Sequence, residues 1–65
     1  MKWYRVRELY YYDGRVTSEL SGTIQAKARP ESEIIERDDY SEFIDWYDTK
    51  EHAKTAIKYA RKMSA

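Results

Sequence analysis

Sixty-five residues with no cysteine and one histidine, His52, exclude disulfides, thiolate metal sites and a histidine-built zinc site. Twelve basic and twelve acidic side chains cancel, and no apolar run approaches the ~18 residues of a membrane span. The opening Met1-Lys2-Trp3-Tyr4-Arg5 lacks the apolar core of a signal peptide. A single domain over 1–65 with no membrane segment, no metal and no cofactor is expected, and a cytoplasmic location. A chain this small buries only about 60% of its unfolded surface. Without disulfides or a metal, a second copy is the expected source of further burial, so the chain is read as a homo-oligomer, a dimer first.

Lys2 to Tyr12 is aromatic and β-branched and reads as a first strand. Asp13-Gly14 marks a turn. From Val16 to Ala28 small or apolar residues alternate with polar ones without exception, the period of a strand with one buried and one wet face. Register selects the turn. A two-residue loop would place Arg5 and Arg7 on the apolar face. A three-residue loop, Tyr12-Asp13-Gly14 with Gly14 left-handed, pairs Tyr4 with Gly22, Val6 with Leu20, Tyr10 with Val16, and Arg7 with Glu19. Arg29-Pro30 ends the second strand. Ser32–Arg37 reads as a short edge strand or as one or two helical turns, Asp38-Asp39 as a turn, and Glu42–Tyr47 as the last strand.

Asp48 or Thr49 caps a C-terminal helix, with Glu51 placed as in a capping box. Ala53, Ala56, Ile57, Ala60 and Met63 form one narrow apolar stripe, with Lys50, Lys54, Lys58, Arg61 and Lys62 around it. The fold class is therefore α+β: an antiparallel sheet of three or four strands, hairpin first, with one helix packed on one face. Val6, Tyr10, Leu20, Ile24, Ile57 and Ala60 are the expected core.

The charges are segregated. Residues 1–29 carry net +3, residues 30–48 net −7, and residues 49–65 net +4. Glu36, Asp38, Asp39 and Glu42 make a candidate acidic surface, which solvates the fold or meets a basic partner. No phosphate-cradling glycine loop and no cysteine nucleophile are present. Carboxylates paired only by spacing, such as Asp45 and Asp48, need a pocket to separate their pKa values. The expected function is binding and not catalysis.

Trp3, Arg5, Arg7, Leu9 and Tyr11 share the strand face opposite Val6. If the helix covers Val6, that face stays open, with Trp3, Arg5, Arg7, Tyr11 and Arg15 as its candidate binding residues. Trp, Tyr and Arg are the side chains enriched at protein-binding hot spots. The same rings and guanidiniums also suit stacked bases and phosphates. A three-stranded sheet followed by one helix resembles the plan of small sheet-first DNA readers, including the arm-binding domains of phage-type integrases. Trp3-Tyr4-Arg5-Val6 and Trp46-Tyr47-Asp48-Thr49-Lys50-Glu51 are similar in flavour to their opening strand and strand-to-helix junction. That resemblance implies DNA contact through the sheet, whereas zero net charge and the −7 segment oppose it. The leading expectation is a phage-like or bacterial accessory protein that self-associates and blocks or sequesters a protein target as an inhibitor. Nucleic-acid or nucleotide binding through the aromatic and arginine face is the alternative.

Overall fold

A computed structural model describes residues 1–62, with side chains over residues 1–60. Met63, expected to end the helical stripe, lies outside the described residues, as do the Arg61 and Lys62 side chains. The chain runs β1 (Lys2–Tyr11), β2 (Val16–Gln25), β3 (Glu33–Glu36), β4 (Tyr40–Tyr47) and α1 (Lys50–Lys62). The four strands form one antiparallel sheet in the order β2-β1-β4-β3. The fold class is α+β, with the helix packed on the sheet. The stretch after Pro30 resolves to the short edge strand, not a helical turn, and the last strand begins at Tyr40.

The β1–β2 turn has the geometry its register requires. Gly14 adopts φ 99°, in the left-handed region, and its N–H donates to the Tyr11 carbonyl at 3.0 Å. Tyr10 then pairs with Val16, Arg7 with Glu19 and Val6 with Leu20. Beyond that point the expected register fails. The ladder shifts between Arg5 and Val6, so Arg5 meets Gly22 and Tyr4 meets Thr23. Ser21 is the extra residue of a β-bulge, and Gly22 beside it takes φ 147°. Bulges insert one unpaired residue and reverse the side-chain alternation that follows. Ile24 therefore pairs with Trp3 and leaves the Val6 face. The regular polar/apolar alternation hides this, because period two carries no record of an inserted residue.

The core also differs from the expected one, at Ile24 because of the bulge and at Leu20, which stays opposite Val6, because β2 is an edge strand. Leu20 is 36% exposed and Ile24 41%, whereas Val6, Ala53 and Ala60 are at most 1% exposed. Tyr10 and Ile57 are half-buried. Trp46, absent from the expected core, is buried. The helix lies chiefly over β2 and β1. On β2 the one buried side chain is Ser18, which pairs with Glu8 on the Val6 face. Thr17, Glu19, Gly22 and Ile24 on the other face are exposed. The helix therefore covers the Val6 face. Its narrow alanine stripe lets it approach Ser18 and Val6 closely. Thr49 is the N-cap: its Oγ1 accepts the His52 N–H at 3.1 Å, and Ala53 N–H closes the first turn on the Thr49 carbonyl. With Thr49 as cap, Glu51 falls one residue short of the capping-box position.

Two long-range bonds clasp the far end of the sheet. Tyr12 N–H donates to the Asp39 carbonyl at 3.2 Å, and the Tyr12 hydroxyl to the Arg37 carbonyl at 3.2 Å. The tips of the β1–β2 and β3–β4 hairpins are thereby joined.

Candidate functional site

The face opposite Val6 is built from alternate residues of β1 and β4, and at its Trp3/Trp46 end it meets the helix. β1 contributes Trp3, Arg5, Arg7, Leu9 and Tyr11. β4 places Trp46 beside Arg5, Ile44 beside Arg7, Glu42 beside Leu9 and Tyr40 beside Tyr11. From Trp3 to Tyr11 the strip is about 27 Å long at ~3.4 Å per residue. Four of the five expected binding residues thus share one face. Arg15 joins them from the turn, its guanidinium 4.4 Å from the Tyr11 ring centre. The Tyr11 and Tyr40 rings are 5.2 Å apart.

Each arginine of this face already has an acceptor. Arg5 donates through Nε to Ser21 Oγ at 2.9 Å and through a terminal nitrogen to the Ser21 carbonyl at 3.1 Å. The bulge thus supplies the acceptors that hold Arg5 against Gly22. Arg7 bonds Glu42 Oε2 at 3.1 Å and Glu19 Oε1 at 3.3 Å. The bond from Glu42 leads the effects that raise the Arg7 pKa above its ordinary value. Arg15 Nε pairs with Asp13 Oδ2 at 2.8 Å. The Arg15 backbone N–H, first among the causes, and its guanidinium hold the Asp13 carboxyl below its usual range. The Trp3 indole N–H reaches the Ala26 carbonyl at 3.2 Å.

The acidic set divides. Glu36, Asp38 and Asp39 are exposed around the β3–β4 turn. Glu42 is 6% exposed and faces the opposite way, between Arg7 and the Arg37 Nε at 3.8 Å. It is the buried centre of an Arg7–Glu42–Arg37 network with Glu19 at its rim, a role its place in the acidic segment gave no means of reading.

Two concavities are present. The first, about 590 Å³, lies at the Trp3/Trp46 end of this strip, where Tyr47 and the helix residues His52 and Tyr59 also line it. Within it His52 Nδ1 sits 2.7 Å from Asp48 Oδ1, and that bond, the leading cause, lowers the Asp48 carboxyl pKa. The second, about 510 Å³, holds Tyr10, Phe43 and Ile34 along the β4–β3 edge. Tyr10 and Phe43 meet edge to face at 5.0 Å. The sequence signals for this groove were Tyr10, on the Val6 side of β1, and the apolar Phe43 and Ile34 of the later segments. Beside the groove, burial pushes the Asp45 carboxyl up. Bonds from Ser32 Oγ, the Trp46 N–H and Arg29 outweigh that and leave its pKa below the ordinary value. Among the described residues no cluster of ligating side chains could hold a metal ion, and no helix is long and apolar enough to cross a membrane. No protein family, no curated protein and no solved structure matches the chain.

Proposed function

We propose that this protein is a small non-catalytic accessory protein of phage-like or bacterial type. It works in the cytoplasm by binding a protein target through the Trp3/Arg5/Arg7/Tyr11/Arg15 face and thereby blocking or sequestering it. The same face is the surface for two-fold self-association. One observation carries the preference for protein over nucleic acid: Arg7 and Arg15 are paired with carboxylates of this chain, and Arg5 directs its donors to Ser21. A phosphate platform needs guanidiniums free to exchange counterions for the backbone. Aromatic rings beside internally satisfied arginines suit a dry protein interface, where unpaired charge is costly to bury. The Arg15–Tyr11 stack supports the second reading, a base or nucleotide laid on the aromatic strip.

Two measurements test the choice. Sedimentation equilibrium at high micromolar concentration is expected to show a dimer weakened by Trp3→Ala and Arg5→Ala, with melting temperatures nearly unchanged. A fluorescent single-stranded oligonucleotide is expected not to bind. A monomer throughout, or oligonucleotide binding that falls steeply with added salt, refutes the reading.

A further inference from the structure

The outer edge of β3 is open, and its backbone phase can be worked out. Arg37 N–H donates to the Tyr40 carbonyl at 2.8 Å. Bonded pairs alternate along an antiparallel ladder, so Ile35 and Glu33 turn their amides toward β4. Ile34 and Glu36 turn theirs to the free edge. Edge strands are usually blunted by short length, charged side chains, proline or a bulge; β3 is four residues long and carries Glu33 and Glu36 but has no lysine, proline or bulge, so its charges deter an acidic strand and admit a basic one. Ile34 is 67% exposed. Beside it lies the groove floored by Tyr10 and Phe43, whose lining includes Glu8, Glu33 and Asp45 and, among the described residues, no lysine or arginine, with Arg29 reaching Asp45 from outside it at 2.7 Å. Glu31, Glu36, Asp38 and Asp39 are exposed around it.

We infer that this edge accepts an extended basic segment of a partner protein as a fifth strand, a surface distinct from the odd face of the sheet. Strand addition draws affinity from main-chain bonds and specificity from alternate side chains. In an antiparallel addition, the segment residues opposite Ile34 and Glu36 project on the Tyr10/Phe43 side. The first is apolar and fills the groove; the second is lysine or arginine and meets Glu36. The residue opposite Glu33 points to the other side and is also basic. Charge complementarity chooses this occupant: Glu31, Glu33, Glu36, Asp38 and Asp39 are exposed along this edge, while the nearby cations Arg29 and Arg37 are already paired with Asp45 and Glu42.

The probe is a fluorescein-labelled peptide, Ser-Thr-Lys-Thr-Ile-Lys-Thr-Ser, with a counterpart carrying Glu in place of both Lys. Anisotropy is expected to show saturable binding of the lysine peptide and none of the glutamate peptide, with amide shifts at Ile34 and Glu36. Ile34→Pro deletes a donor aimed at the free edge and spares the β3–β4 ladder, a position where edge strands tolerate proline. It is expected to cost at least about tenfold in affinity. Glu33→Lys with Glu36→Lys is expected to do the same, and Glu51→Lys, on the helix, to do nothing. Circular dichroism checks that each variant is folded; if the proline variant is not, the charge-reversed pair and the amide shifts decide. Equal binding of both peptides, no binding of either, unshifted Ile34 and Glu36 amides, or a self-associating β3 edge that excludes the peptide overturns the inference. The odd-face dimer and its Trp3→Ala response are read separately, so either proposal can fail alone.

Discussion

Replacing Glu42 by glutamine removes the charge that two arginines share. Breaking a fully buried ion pair by deleting one partner costs about 3–5 kcal/mol. Here the carboxylate side chain is 8% exposed, but Arg7 and Arg37 are 36% and 53% exposed, so both guanidiniums recover water when it is gone. The expected loss is therefore about 1–2 kcal/mol after that rehydration. At roughly 4–8 °C per kcal/mol for a domain of this size, the melting temperature falls by about 4–15 °C. Glu19, 60% exposed, bonds the same Arg7, and Glu19→Gln is expected to cost less than about 0.5 kcal/mol. Urea denaturation followed by circular dichroism measures both. Raising salt to about 1 M erases the Glu19 contribution and leaves most of the Glu42 one. Equal losses for the two variants would refute the assignment of Glu42 as the buried centre of the network.

Burial makes a ranking: Val6→Ala is expected to cost about 2–3 kcal/mol and Leu20→Ala about 1–2 kcal/mol, because Leu20 keeps a third of its surface in water; reversed values in urea titrations would put the helix elsewhere. Burial first, then the bond to Glu8, pushes the Tyr10 hydroxyl up to about 12. Its folded pKa exceeds the unfolded value, so its contribution is complete below pH ~10 and is lost as pH rises through 12. Tyr10→Phe is expected to flatten that alkaline loss, and an unchanged alkaline profile counts against it. Asp45 runs the other way: its depressed pKa supplies stability above pH ~4 that disappears as pH falls through the folded value. Asp45→Asn is expected to flatten the acid limb of stability against pH, with wild-type acid sensitivity as the contrary result. Thr49→Ala is expected to cost about 1 kcal/mol as a lost N-cap, and no change in melting would reassign the cap to Asp48.

Local rules made much of the fold legible. The left-handed Gly14 and the need to keep Arg5 and Arg7 off the apolar face were enough to set the hairpin register from Tyr10–Val16 through Val6–Leu20. The apolar stripe of Ala53, Ala56, Ile57 and Ala60 marked the helix face. What escaped was the bulge at Ser21, because an alternating sequence reads the same on either side of an inserted residue. The error then propagated to Ile24. Gly22, inside a strand, was the visible hint of it. At the candidate site, the placement of Trp3, Arg5, Arg7 and Tyr11 on one face follows from strand geometry alone. The capture of Arg7 and Arg37 by Glu42 does not, since it depends on β4 lying beside β1, a pairing 35 residues apart in sequence.

That pairing also orders events while the chain is made. β1 is made before the other three strands, yet it is the hub of the sheet, with β2 on one side and β4 on the other. Its hairpin with β2 can form early, since such turns close in about 1–10 μs, and synthesis adds only about 5–20 residues each second. The second flank of β1 stays unpaired until Tyr40–Tyr47 has emerged, and Val6 stays uncovered until the helix follows. Between the completion of β2 and the arrival of β4 the hairpin is a two-stranded ribbon bearing Trp3, Tyr4 and Val6. A stall or nonsense codon before Tyr40 leaves that ribbon without its closing strand, so such fragments are expected to be cleared by proteolysis or to aggregate and not to persist as shorter working forms.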